Sequence, residues 1–273
     1  MKNSTIGIIG AGNMGMALAA GLARDQTNGR IMVSRLRAER QEMARTLGIV
    51  SEPDNGALAT QADTLILAVK PQQLKSICAE IASAAMPRPP LVVSIVAGVR
   101  AADIDRWLGG GYAVVRAMPN TPALANAGVS TLFANARTSA SERALAQHIL
   151  SSVSRVFWLA DETLMDATTA LAGSGPAYLF LFVEALTEAG VKAGLNRELS
   201  ADLATHTVVG AATLLQTSKE APSVLRERVT SKGGTTEQAV KSLLADGFMD
   251  MFDRAIRAAA SRSKQLGEQW SGL

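Results

Sequence analysis

Residues 5–23, TIGIIGAGNMGMALAAGLA, narrow what this chain can fold into more than any other stretch. Thr5 to Ile9 make a short β-branched run suited to a buried parallel strand. The run ends directly in Gly10-Ala11-Gly12-Asn13-Met14-Gly15, and residues 16–24 then read as a helix. This is G-x-G-x-x-G in the context that gives it meaning. Gly10 permits the tight turn, Gly12 lets a pyrophosphate approach the backbone, and Gly15 lets the helix pack close to the strand. The helix N-terminus offers its free N–H groups to the phosphates. Gly10, Ala11, Gly12, Asn13, Met14 and Gly15 are therefore candidate contacts of a dinucleotide. An uncharged run after Lys2 also has some likeness to a signal peptide or membrane span. Five glycines interrupt it and Asn13 sits at its middle, so strand, turn and helix is the expectation.

The second strand, about residues 30–33, ends in Ser34-Arg35-Leu36-Arg37, with Arg40 one helical turn beyond Arg37. An NAD site usually places a carboxylate here to bond the ribose 2′-hydroxyl. This chain offers a hydroxyl and two guanidinium groups, and the planar, permanently charged fork of arginine suits a phosphate. Ser34, Arg35 and Arg37 predict NADPH as the cofactor, with NADH the lesser one. The alternation continues with strands at 64–69, 91–96 and 112–117, separated by helical stretches such as 72–84 and 101–108. That pattern specifies a Rossmann-type, doubly wound parallel α/β sheet. Ligands of such sheets lie beyond the carboxyl ends of the strands. Asn55, Ala68, Val69, Lys70, Pro71, Val96, Ala97 and Gly98 accordingly point toward the cofactor. Pro119 and Asn120, just after the fifth strand, are candidate substrate contacts. Arg116 is either an active-site cation or a structural partner.

From about Asp161 the pattern is helical only. Asp161 is the expected N-cap of a helix with Leu164, Ala167, Thr168 and Leu171 on one face. Gly173-Ser174-Gly175-Pro176 interrupts it, with Pro176 placed to open the next helix. Residues 177–183, AYLFLFV, are apolar all round, so that helix should be buried on every side. A small helical domain can hardly wrap such a helix alone, so a second subunit is expected to cover it, a ligand groove being the alternative. His206, among Ala, Thr and Val in a helix at 199–215, reads as a packed structural residue. The expected domains are a dinucleotide-binding domain, 1–160, and a helical substrate and dimerisation domain, 161–273.

Composition trims the function classes. Of 273 residues 48% are apolar, enough for a real core, and the formal net charge of +3 comes without a basic tail or stripe. Nucleic acid is not an expected partner, nor is a membrane, whereas mild basicity suits an anionic ligand. Cys78 is the one cysteine and His148 and His206 lie far apart, so neither an internal disulfide nor a metal site is expected. The expected compartment is the reducing cytoplasm.

One loop is more elaborate than a connection requires: Val229-Thr230-Ser231-Lys232-Gly233-Gly234-Thr235-Thr236. With a helix at 237–244, Thr235 and Gln238 would form a capping box, leaving the Thr236 hydroxyl free in the first turn. Gly233 and Gly234 allow successive N–H groups to converge into an anion nest, and the helix dipole adds to the attraction. A carboxylate suits this loop; the alternative is a glycine-rich cap with no guest.

GIIGAGNMG, LAVKPQ, VSIVAGV, RAMPNTPA, DATTALAGSGPAYLF and VTSKGGTT together resemble pyrroline-5-carboxylate reductase, in the family's order and across both halves of the chain. The resemblance implies reduction of the cyclic imine 1-pyrroline-5-carboxylate to L-proline by NAD(P)H, the last step of proline biosynthesis. It also implies a homodimer with interlocked helical domains, in some members assembled as a ring of five dimers. Thr236 then matches the threonine that contacts the ring nitrogen. Ser231, Gly233, Gly234 and Thr235 lie in the segment that holds the carboxylate, and Glu162 matches an acidic position near the substrate. Because the domains interlock, the loop of one chain is expected to serve the cofactor of its partner. Lys232 stands where the family commonly has proline, which bears on the stiffness of the loop. The chemistry agrees with the residues: an iminium already carries its proton and charge before hydride arrives, so positioning matters more than acid strength. A β-hydroxyacid dehydrogenase, with Lys192 as its lysine, and an NADPH-binding scaffold without turnover are the competing readings.

Overall fold

The computed structural model describes residues 4–25, 29–86 and 88–271. Their contacts divide the chain into two compact units. One comprises the described residues of Met1–Ser174 and Ala258–Leu273, and the other is Gly175–Arg257.

The first unit is built on one eight-stranded sheet. It begins with β1 (Thr5–Ile9), α1 (Asn13–Arg24), β2 (Arg30–Ser34), α2 (Ala38–Thr46), β3 (Val50–Glu52), α3 (Asn55–Gln61) and β4 (Thr64–Leu67). It continues through α4 (Pro71–Ala82), β5 (Leu91–Ser94), α5 (Ala101–Trp107), β6 (Val114–Pro119), β7 (Gly128–Ala134), α6 (Ala140–Ser151) and β8 (Ser154–Trp158). The strand order is β3-β2-β1-β4-β5-β6-β7-β8, parallel except where β6 meets β7. That antiparallel pair follows from its link, one short 3₁₀ turn (Thr121–Ala125) with no room for a crossover helix. The five strands expected from the sequence are present and the doubly wound α/β class holds. The 5–23 run is indeed strand, turn and helix. Strands β3, β7 and β8 escaped the sequence reading. β3 has only three residues, and the other two bury polar Ser130, Thr131 and Ser154 amid their apolar positions.

Alternation along the strands feeds two cores. Ile66 joins Ile8, Val33, Val93 and Val115 under α1 and α6, while Leu65 and Leu67 join Val92 and Val114 under α3, α4 and α5. Layers on both faces explain why these strands read as continuous apolar runs.

After β8 the chain is helical: α7 (Leu164–Thr168), a π-helical turn (Thr169–Gly173), α8 (Gly175–Lys192), α9 (Arg197–Thr217), α10 (Pro222–Arg228), α11 (Thr235–Ala245) and α12 (Phe248–Ser271). Pro176 does sit in the first turn of α8. Asp161 does not cap α7 with its side chain, as expected from the sequence. Its Oδ1 accepts instead from the N–H of Thr163, two residues on, so the turn begins before the helix. The end of α12 is tied into the first unit, where Ser263 donates to Asp166 and Ser271 to Asp103, and Gly267 lies against the Gly98 carbonyl.

In the second unit α8 and α9 form a hairpin. The Ser200 hydroxyl donates to the Thr187 carbonyl, filling the space left by Gly190, and Arg197 clasps Glu188. Residues 177–183 are not buried within the chain: Leu179, Phe180 and Leu181 are 55%, 62% and 65% exposed. The helical run Leu164–Lys192 is long and apolar enough to cross a membrane by length and composition. A helix this apolar and this open requires a cover.

Cys78 lies on α4 inside the second core, and burial pushes its thiol up to about 12. The thiolate is the reactive form, so at pH 8 the folded protein should leave a thiol reagent unconsumed while the denatured chain consumes one equivalent. Rapid labelling of the native protein would contradict this packing.

Candidate active site

The nucleotide edge is shaped by two glycines that admit no side chain. Gly10 has φ +111, and a Cβ there would strike the Ala68 carbonyl of the neighbouring strand's end; a Cβ on Gly15 would collide with the Gly10 carbonyl. Gly12, the N-cap of α1, has nothing within 4 Å of where its Cβ would be. The turn is thus closed on its inner side and open at Gly12, above the unpaired N–H groups that begin α1. A pyrophosphate fits an opening of this kind. Asn13 and Met14 begin the helix, and Ala11 is buried. Arg40, on α2, bonds the Ala11 carbonyl at 2.7 Å and Asn13 Oδ1 at 2.5 Å, bracing the turn from outside.

At the end of β2, Ser34 is fully buried and its Oγ accepts from the Gly10 N–H at 3.3 Å. The expected hydroxyl thus supports the turn from beneath. Arg35 is exposed, has φ +52, and lies 3.8 Å from Glu80; Arg37 opens α2, 3.7 Å from Glu39. Both guanidinium groups are solvent-accessible, and among the described residues they are held only by these long contacts. Asn55 begins α3 and is buried, with its amide on Glu80. Ala68 and Val69 follow β4, Lys70 and Pro71 open α4, and Val96, Ala97 and Gly98 follow β5, all at the same carboxyl edge as Gly10. The Val96 N–H is held by Ser94 Oγ, and Gly98 takes φ +79.

A cleft of about 660 Å³ opens beside this edge, lined by Gly98, Arg100, Arg116, Glu162, Asp166 and Lys264 among others. Arg116, on β6, is 5% exposed and pairs with Glu162 Oε1 at 3.1 Å. The same oxygen accepts the Ala101 N–H at 2.8 Å, where α5 starts. One carboxylate thereby ties β6, the start of α5 and the segment before α7. Pro119 ends β6 and is buried. The Asn120 side chain is engaged at both ends, donating to the Ala172 carbonyl at 2.9 Å and accepting from the Val129 N–H at 2.8 Å. Arg100 and Lys264 carry no local signal in the sequence; Lys264 reaches the cleft only because α12 returns to the first unit.

In the second unit the loop differs from its expected cap. Helix α11 starts at Thr235 with Gly234 as N-cap, and no side chain caps it. Thr235 is therefore the first helical residue and forms no capping box with Gln238. Gln238 donates its N–H to the Gly234 carbonyl, and Glu237 instead accepts the Gly233 N–H at 2.7 Å. Gly234 donates to the Ser231 carbonyl, and a Cβ on Gly234 would meet Ser231 Oγ. Those two N–H groups are used inside the loop. The amides of Thr235, Thr236 and Glu237 remain, as the first turn of a helix leaves them. Thr236 is half-buried, and Lys232 is exposed in the same turn. His206, expected to be packed, is instead exposed on α9, where its Nδ1 lies against the Asp202 carbonyl and the helices bury little within the chain, and Lys192 is exposed at the last position of α8.

Comparison with known proteins agrees over both units. Residues 162–266 match a family described as pyrroline-5-carboxylate reductase dimerisation, and residues 5–98 match one described as NADP oxidoreductase, coenzyme F420-dependent. The chain is 44% identical over 271 residues to the pyrroline-5-carboxylate reductase of Pseudomonas aeruginosa, covering 98% of this chain and 99% of that one. It is 40% identical to the enzyme of that name from Synechocystis, over 97% of this chain and 98% of that one. Among solved structures it is similar to a pyrroline-5-carboxylate reductase from Coxiella burnetii, with a TM-score of 0.91 at 38% identity over 97% and 98% of the two chains. It is similar also to a Plasmodium falciparum pyrroline carboxylate reductase with NADP bound, with a TM-score of 0.84 at 30% identity over 98% and 99%. The chain belongs to the pyrroline-5-carboxylate reductase family.

Proposed function

We propose that this chain reduces 1-pyrroline-5-carboxylate to L-proline with NADPH as the preferred donor, as a cytoplasmic homodimer with interlocked helical domains, five such dimers forming the full assembly. The observation that carries the reading is similarity along the whole chain to named pyrroline-5-carboxylate reductases, together with an N-terminal turn open at Gly12. The exposed apolar face of α8 supports the dimer, because a second copy of the same face would cover it.

When bound, NAD(P)H supplies the hydride. The chain's own residues do the rest. Gly10 to Gly15 and the start of α1 hold the pyrophosphate, and Arg35 and Arg37 meet the 2′-phosphate. Ala68 to Pro71, Val96, Ala97 and Gly98 line the path of the nucleotide. The amides of Thr235 and Thr236, with Ser231, Gly233 and Gly234 shaping the loop, hold the substrate carboxylate at the positive end of α11. The Thr236 hydroxyl bonds the ring nitrogen and orients the imine. Pro119 and Asn120 shape the substrate side, with the Asn120 amide acting by fixing the backbone around it. Glu162 acts through Arg116 and Ala101 and is a positioning residue. In the interlocked dimer, the loop of one chain serves the nucleotide of its partner.

Consumption of NADPH, followed by nicotinamide absorbance, should occur with pyrroline-5-carboxylate and not with a panel of β-keto acids; the reverse pattern would move the function to the dehydrogenases. In the same assay Arg35→Ala should weaken NADPH relative to NADH by about tenfold, and an unchanged ratio would remove Arg35 from the phosphate site. Thr236→Ala should lower kcat by about tenfold to a hundredfold at saturating imine while leaving NADPH affinity unaltered; undiminished turnover would reduce Thr236 to part of the helix start. Glu162→Ala strands a buried guanidinium and should cost about 3 kcal/mol, a fall in melting temperature of about 6–12 °C. The double change with Arg116→Met should recover part of that loss, and strict additivity would show that the two side chains are not coupled.

A further inference from the structure

Glu80, on α4, takes no part in the reaction described above, yet it engages the guanidinium and the amide best placed to read the ribose. The Asn55 Nδ2 donates to Glu80 Oε2 at 2.7 Å, and the same oxygen lies 3.8 Å from Arg35 Nη2. Only the NH₂ end of an amide can donate to a carboxylate, so Glu80 determines which way the Asn55 side chain faces. Asn55 is 2% exposed, and its Oδ1 is buried without a hydrogen-bond partner among the described residues. A buried acceptor left without a donor is costly.

We propose that Glu80 is a specificity-determining residue for the nucleotide, competing with a 2′-phosphate for the Asn55 amide and the Arg35 guanidinium while offering, from α4, the carboxylate that a ribose 2′-hydroxyl bonds. Many sites of this fold place that carboxylate at the end of the second strand; here the strand ends in Ser34 and Arg35, and the acid arrives from a different element. The inference rests on the cofactor reading given above. NADH leaves the Asn55–Glu80–Arg35 contacts intact. NADPH has to part Glu80 from Arg35 and turn the Asn55 amide. Arg35 and Glu80 side chains are 64% and 46% exposed and their contact is long, so the barrier is modest and the chain admits both nucleotides.

The test is equilibrium binding of NADPH and of NADH to the full chain, followed by nicotinamide fluorescence, in the wild type, Glu80→Gln and Glu80→Ala. Glutamine keeps an acceptor oxygen for Asn55 and removes only the charge, whereas alanine also frees the amide. Preference for NADPH over NADH should rise about threefold to tenfold in Glu80→Gln at unchanged melting temperature, and further in Glu80→Ala, where the buried Asn55 amide loses its acceptor and the melting temperature falls as well. A preference unchanged in both variants overturns the proposal and leaves the cofactor reading intact. Equal weakening of both nucleotides also overturns it, by making Glu80 a structural residue. A wild type that binds neither nucleotide overturns the cofactor reading itself, and the proposal with it.

Discussion

The contact between the first turn of α1 and the end of β1 governs the rest of the nucleotide unit. Gly15 sits against the Gly10 carbonyl so closely that a single methyl group would separate them, and Gly10 in turn sits against Ala68 at the end of β4. These two approaches lock the helix onto the sheet and set its N–H groups over the carboxyl edge where adjacent strands part. Ser34 from below and Arg40 from outside hold the same turn. The turn is thus braced before any ligand arrives, which would lower the ordering cost of binding a phosphate there.

The helical unit obeys a different constraint. Its helices bury little against one another: α8 has one buried residue, Thr187, and exposes a row of Leu and Phe. A helix with that exposed apolar row calls for a covering surface, which agrees with the dimerisation family matched there. The loop before α11 belongs to the same unit, so the substrate role proposed for it would inherit this dependence. The loop is stiffened by its own bonds, Gly233 to Glu237 and Gly234 to Ser231, so Lys232 occupies the usual proline position without leaving the turn unsupported.

Much of the nucleotide site was legible in sequence because its determinants are local. A glycine needed for a tight turn, a proline opening α4 and a run of alternating apolar residues act over a few positions. Short strands are harder: β3, β7 and β8 owe their existence to pairing with other strands, and β7 and β8 include buried Ser130, Thr131 and Ser154. The N-cap of α11 lies one residue before the expected Thr235, because Thr235 and Gln238 satisfy the capping-box pattern while Glu237, one position nearer, competes for the loop and holds the Gly233 N–H. Ser34 looks in sequence like a ligand hydroxyl, yet its partner lies 24 residues earlier, beyond the reach of any local pattern.

The sequence alone determined the doubly wound nucleotide fold, the open Gly12, the arginines at the end of β2, the all-helical second half and the family, since each rests on residue type and near spacing. Tertiary structure decided how charges are shared. Glu80 meets Asn55 and Arg35, Glu162 meets Arg116 and Ala101, and Lys264 lines a cleft with Arg100, across separations that sequence does not reveal. The physical reason is reach: turns and helix starts are settled by neighbours along the chain, whereas a buried charge must find a counter-charge wherever packing brings one.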